Sequence, residues 1–210
     1  MSALYADRGL FVCLEGGEGS GKSTQARRLV DRLAAAGRDD VVLTFEPGDT
    51  PVGADLRRIV LSPETGDLDP RTEALLYAAD KAEHVARVVR PALERGAVVV
   101  CDRYVDSTLA YQGAGRVLDV ADVERVARWA TGDLRPHLTV VLDLDPGAGL
   151  GRFEGRDRIE GESAEFHHRV RAAFPAMAAA DPDHYLVLDA RAPVEEIADA
   201  VWARVAPLLD

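Results

Sequence analysis

Apolar runs of four to six residues recur along the chain at Leu10–Leu14, Val41–Phe45, Ala97–Cys101, Leu138–Leu142 and Tyr185–Leu188. They are apolar at consecutive rather than alternate positions, the pattern of strands buried on both faces. Between them apolar residues return with helical spacing over Thr24–Ala36, Arg71–Val89, Val120–Ala130, Ala164–Ala180 and Val194–Leu208, with polar residues on the opposite face. Gly37 and Gly132 close two of these segments, Pro91 interrupts a long one and Pro193 opens the last. Strict alternation of strand and helix implies right-handed crossovers, hence an α/β fold whose five-stranded parallel sheet is covered by helices on both faces. Neither a repeat nor a dividing linker appears, so residues 1–210 read as a single domain. The stretch 147–162 (GAGLGRFEGRDRIEGE), rich in Gly and Arg, reads as a short mobile lid.

Composition narrows the function. With 47% hydrophobic and 29% charged residues over 210 positions, the chain is an ordinary globular protein, long enough to bury a core without metal or disulfide staples. A net charge of -11 opposes non-specific binding to nucleic acid and to anionic membrane. Any phosphate site must therefore be locally basic. The two cysteines, Cys13 and Cys101, lie in apolar runs and read as buried thiols in a reducing compartment. With no apolar run of membrane-spanning length and no leader pattern before Arg8, a cytoplasmic protein is expected. Among the 25 basic residues only Lys22 and Lys81 are lysines, and the chain has no asparagine.

Directly after the first strand comes Gly16-Gly17-Glu18-Gly19-Ser20-Gly21-Lys22-Ser23, which satisfies G-x-x-x-x-G-K-[ST] and runs through Thr24 into a helix. Glycines let the backbone curl until its N–H groups point at phosphate oxygens, and the helix N-terminus adds positive potential. Lys22 reaches the terminal phosphates and Ser23 can ligate Mg²⁺. These residues predict a P-loop binding a nucleoside triphosphate with magnesium.

Downstream, four groups of residues carry further chemistry. At the end of the third strand stands Asp102-Arg103-Tyr104-Val105-Asp106-Ser107-Thr108-Leu109-Ala110-Tyr111-Gln112. Asp102 can hold magnesium directly or through water, and Arg103 is a forked cation suited to a phosphate between donor and acceptor. Thr108 and Gln112, four apart on one helical face, can meet a base edge. Leu75-Leu76-Tyr77-Ala78-Ala79-Asp80-Lys81-Ala82-Glu83-His84 offers a ring and a cation one helical turn apart. The segment from Phe45 to Arg57 contains Glu46, and Asp143-Leu144-Asp145-Pro146 leads into a lid bearing Arg152, Arg156 and Arg158. His84, His167 and His168 lack metal-ligand spacing and read as surface or packing residues.

These groups resemble the D-R-Y-x-x-S-x-x-A-Y-Q, L-L-F-A-A-x-R-x-x-H, R-E-P-G-G-T-x-x-G-E-x-L-R and L-D-x-x-P-x-x-G-L-x-R…D-R-I-E segments of bacterial thymidylate kinases. The resemblance runs from about Leu10 to about Ala190 and implies a P-loop kinase fold that phosphorylates dTMP with ATP and Mg²⁺, commonly as a homodimer. It further implies that Tyr77 stacks on the thymine and that Lys81, Thr108 and Gln112 hold the base. Tyr111 would close off the sugar 2′ position, Glu18 would meet the 3′-hydroxyl, and Ser107, Glu46 and Arg57 would stand on the substrate side. Because this P-loop has no arginine, Arg103 and a lid arginine would neutralise charge on the transferring phosphoryl group. The chain departs from the pattern at Tyr77 and Lys81, where phenylalanine and arginine are usual, and at Phe45 and Asp49, where arginine and glycine are common. Alternatives are a kinase for AMP, GMP or CMP, a stand-alone ATPase module, or a regulatory GTPase. The last uses an N-K-x-D motif, which a chain without asparagine cannot supply.

Overall fold

The computed structural model describes residues 5–150 and 157–209. Five strands, β1 (Leu10–Gly16), β2 (Val41–Phe45), β3 (Val98–Asp102), β4 (Leu138–Asp143) and β5 (Tyr185–Asp189), pair in parallel in the order β2-β3-β1-β4-β5. The helices are α1 (Lys22–Ala35), α2 (Pro51–Leu61), α3 (Pro70–His84), α4 (Arg90–Glu94), α5 (Val105–Thr108), α6 (Val120–Thr131), α7 (Pro146–Leu150), α8 (Ala164–Ala180) and α9 (Val194–Val205).

Alternation along the strands divides the core. Phe11, Cys13, Val99 and Cys101 face one side of the sheet and pack under Val89, Leu93, Tyr104, Val123 and Ala127. Leu10, Val12, Leu14, Val98 and Val100 face the other, under Leu29 and Leu33 of α1 and Ile197 and Val201 of α9. Both thiols are buried and unpaired. Strand β1 is central, paired with β3 on one side and β4 on the other; the chain leaves it for β2 beyond β3, and then crosses over it from β3 to β4. The loop leaving the carboxyl end of β1 therefore occupies the point where strand order reverses, where open α/β sheets bind ligands.

The long segment containing Pro91 stays in one line. Pro91 has no N–H to return to the carbonyl of Arg87, and the preceding turn, Val85–Val89, widens so that Arg90 donates to the Val85 carbonyl. A second widened stretch, Leu109–Gly115, extends α5. Helix α2 lies within a stretch the sequence pattern leaves unassigned. Its signals are a Thr50 cap accepting from the Gly53 amide at 2.8 Å and Pro51 in the first turn. Gly53 inside it lets the helix approach α3, where a Cβ would lie 2.5 Å from Asp80 Oδ1.

Candidate active site

The residues of the P-loop curl because two of its glycines admit no side chain. A Cβ on Gly16, whose φ is 135°, would collide with the Leu142 carbonyl, and one on Gly19, at φ 68°, would lie 2.6 Å from the carbonyl of Gly149 in α7. The loop is thus pressed between β4 and α7. Lys22 Nζ donates to the Gly17 carbonyl at 2.7 Å, inside the curl. Burial, and then the nearby Arg103 guanidinium, bring its ammonium down to about 8, against the opposing pull of Glu18 and Asp102. Ser23 Oγ donates to Asp102 Oδ2 at 2.5 Å, so the two magnesium candidates meet between the P-loop helix and β3. A hydroxyl and one carboxylate beside a phosphate cradle fit a cation that takes hard oxygen ligands and keeps much of its coordination for phosphate and water. Among the described residues no cluster of three or more His, Cys, Asp or Glu forms another metal site.

Arg103 links the loop to the next element. Its φ of 72° is left-handed, unusual outside glycine, and turns the side chain back toward the P-loop. Its guanidinium donates to the Gly16 carbonyl at 3.2 Å, to Ser107 Oγ at 3.1 Å and to Glu18 Oε1 at 2.7 Å, and lies 5.1 Å over the Tyr111 ring. Tyr111 Oη donates to the same Glu18 oxygen at 2.9 Å. Burial pushes the Glu18 carboxyl upward, but Arg103 and then Lys22 outweigh it and hold the group at about 2. Glu18 is therefore an ionised acceptor at the floor of the cleft.

All ten residues read as substrate-side, Glu18, Glu46, Arg57, Tyr77, Lys81, Arg103, Ser107, Thr108, Tyr111 and Gln112, line one cavity. Pro47, Leu61, Asp157 and Ile159 complete it. A wider groove runs along Gly19, Gly21, Lys22, Ser23, Thr24 and Asp102 and shares Glu18, Glu46, Arg57, Arg103 and Asp157 with the cavity. The two spaces meet at Glu18 and Arg103. Thr108 Oγ1 is buried with no hydrogen-bond partner, an open valence facing the cavity. Arg57 donates to the Pro47 carbonyl at 2.7 Å and lies 5.7 Å over the Phe45 ring.

Lys81 is 2% exposed, and its Nζ lies 2.8 Å from Glu46 Oε2. Burial alone would lower the lysine, but Glu46 raises it, so the ammonium stays charged at the cavity wall. Glu46 also meets His84 Nδ1 at 2.7 Å, and His84 Nε2 lies 2.6 Å from Thr44 Oγ1, which donates to Asp49 at 2.5 Å. His84 is thus a link in a polar network beneath the cavity as well as a buried packing residue. Beside it, burial and then Glu46 push Asp80 up to about 6.

Of the lid arginines, Arg152 and Arg156 lie outside the described residues. Arg158 is turned away from both spaces, its Nε donating to the Val60 carbonyl at 2.8 Å and its Nη2 to Glu73. Two carboxylates escape the sequence reading. Glu15, buried at the end of β1, accepts from the Tyr104 amide at 2.7 Å, the Ser107 amide at 3.1 Å and Ser107 Oγ at 2.6 Å. It therefore anchors the start of α5 and the serine that Arg103 touches. Its only sequence signal is a charge at the end of an apolar run, FVCLE. The other, Glu73, sits in the first turn of α3.

A family model described as thymidylate kinase matches residues 14–201. The chain belongs to the thymidylate kinase family. It is 57% identical over 201 residues to the thymidylate kinase of Leifsonia xyli, covering 94% of each chain. It is 54% identical over 202 residues to that of Cutibacterium acnes, covering 96% of this chain and 98% of the other. A crystal structure of thymidylate kinase from Ehrlichia chaffeensis superposes with a TM-score of 0.80 at 29% identity, over 95% of this chain and 99% of that one. The P-loop and Asp102–Gln112 both fall within the stretch matched by the thymidylate kinase model.

Proposed function

We propose that the protein transfers the γ-phosphoryl group of ATP to the 5′-phosphate of dTMP, giving dTDP on the route to dTTP. The observation that carries this reading is the junction at Arg103: one guanidinium stands where the P-loop groove meets a cavity lined by a tyrosine ring, a lysine, a threonine and a glutamine. ATP would lie along the groove with Lys22 and the P-loop amides on its phosphates. Magnesium held by Ser23 and Asp102 would neutralise charge on the β- and γ-phosphate oxygens. dTMP would occupy the cavity with its base against Tyr77, its ring edge at Lys81, Thr108 and Gln112, and its 3′-hydroxyl donating to Glu18. Tyr111, fixed by its bond to Glu18, would crowd a 2′-hydroxyl.

A phosphate monoester is anionic near neutral pH, so the attack needs no general base, and the residues act by alignment and charge neutralisation. Arg103 would bridge donor and acceptor. With Arg158 engaged at Glu73, Arg152 or Arg156 is left to supply the lid cation, and closure would exclude water and restrain ATP hydrolysis.

The protein would act as a homodimer in the cytoplasm, with neither nucleic acid nor membrane as partner. Leu75 on α3 is 59% exposed and Val52 on α2 is 53% exposed, on two helices packed against each other, an apolar surface a second copy would cover. No described helix is long and apolar enough to cross a membrane. The reading is tested by ³¹P NMR of the protein with ATP, Mg²⁺ and dTMP. The resonances of a new nucleoside diphosphate beside ADP are expected to grow with dTMP present; ADP and inorganic phosphate forming equally without dTMP would overturn it.

A further inference from the structure

Glu73 is fully buried, and both of its oxygens are saturated. Oε1 accepts from Gln112 Nε2 at 2.9 Å and Arg116 Nε at 3.0 Å; Oε2 accepts from Arg116 Nη2 at 2.9 Å and from Arg158 Nη2. Burial alone would raise this carboxyl, but the bonds from Arg116, Gln112 and Arg158 bring it below the usual carboxylate range. An ionised carboxylate has no proton to give. The Gln112 amide, which by itself is free to present either end, must turn its nitrogen to Glu73 and leave its carbonyl oxygen for the cavity.

That choice has a chemical meaning at the cavity wall. Lys81, kept charged by Glu46, is a donor only, and Thr108 Oγ1 can serve either way. Gln112 is the one amide there, and its polarity is set from behind. A fixed donor with a fixed acceptor matches a pyrimidine edge carrying a carbonyl next to a ring N–H. It opposes the inverse edge of cytosine, an amino group next to a bare ring nitrogen. We infer that Glu73 is a positioning residue for base selection: without touching substrate, it locks Gln112 as an acceptor and so favours thymine over cytosine in the acceptor cavity. This rests on the cavity being the dTMP site.

The test compares kcat and KM for dTMP and dCMP, with ATP and Mg²⁺, in the wild type, Glu73→Gln, Gln112→Leu and the double variant. A carboxamide at position 73 keeps the shape but presents either end to Gln112, so Glu73→Gln is expected to lower the dTMP-to-dCMP ratio of kcat/KM roughly tenfold. The loss should appear in KM for dTMP, with kcat within about twofold, because the lost contact is made equally in ground and transition states. The double variant should discriminate no worse than Gln112→Leu alone. A folded Glu73→Gln that keeps the ratio, or a double variant whose losses multiply, would overturn the inference.

A measurement on the intact protein covers the case in which Glu73→Gln does not fold. The chain has two glutamines, Gln25 and Gln112, and no asparagine, so its ¹⁵N spectrum holds two side-chain amide pairs. The pair missing in Gln112→Leu should exchange slowly with D₂O in the wild type, before and after dTMP is added; exchange at the rate of a free amide would overturn the assignment. Wild type that fails to phosphorylate dTMP counts against the proposed function, whereas dTMP turnover with these Glu73 results reversed counts against this inference alone.

Discussion

Arg103 bears on every part of the site at once: it touches the P-loop carbonyl, the Glu18 carboxylate, the Tyr111 ring and Ser107. Arg103→Ala should therefore lower kcat by about a hundredfold or more while changing ATP affinity little, since its charge matters most as the phosphoryl group moves. Steady-state kinetics beside calorimetric ATP titration check this, and an unchanged kcat would contradict its role. Lys22 carries a pH prediction. Its ammonium, at about 8 without nucleotide, would be raised by bound phosphates, so ATP binding takes up a proton above that pH. ATP affinity should be level from pH 7 to 8 and then fall by up to about tenfold per unit. A level profile to pH 9.5 would show that Lys22 does not meet the phosphates. At this scale the sequence was legible where a motif fixes both residue and neighbour, as in the P-loop and Asp102–Gln112. It was silent on partners from elsewhere in the chain: that Lys81 rests on Glu46 and Arg158 on Glu73 depends on how α2, α3 and the lid base pack.

At the scale of elements, the site depends on how β1 and α5 are joined. Glu15 accepts from the Tyr104 and Ser107 amides and the Ser107 hydroxyl from inside the core, so Glu15→Gln should destabilise the fold by roughly 1–3 kcal/mol. It should also lower kcat, because Ser107 orients Arg103. Denaturant unfolding with turnover measured alongside checks both, and loss of stability with full kcat would separate the cap from the site. The five strands were legible from their apolar runs, but burial on both faces holds only for the central β1, β3 and β4; the edge strands β2 and β5 leave Leu43, Phe45 and Val187 exposed, because each has a sheet neighbour on one side alone. Less legible were α2, where an interior glycine and a short length hide a helix that makes sense only against Asp80, and the widened turns at Val85–Val89 and Leu109–Gly115. Pro91 announces an interruption, but whether the axis breaks or the turn widens is decided by packing on the sheet.

At the scale of the whole molecule, the exposed face of α2 and α3 predicts association. Sedimentation velocity should find a particle of twice 22.6 kDa, and Leu75→Glu should shift it toward the monomer, placing a charge where apolar surface is covered. A wild-type monomer at micromolar concentration would contradict the dimer. Selection of a thymine deoxynucleotide as phosphoryl acceptor rests on one cavity reached by one P-loop. Its most direct test is ADP release, with ATP and Mg²⁺, against dTMP, dUMP, ribosyl TMP, AMP, GMP and CMP. Turnover favouring dTMP over every other acceptor, including the 2′-hydroxylated one, is the predicted result. Turnover that favours another monophosphate, or that ignores the acceptor altogether, would contradict it.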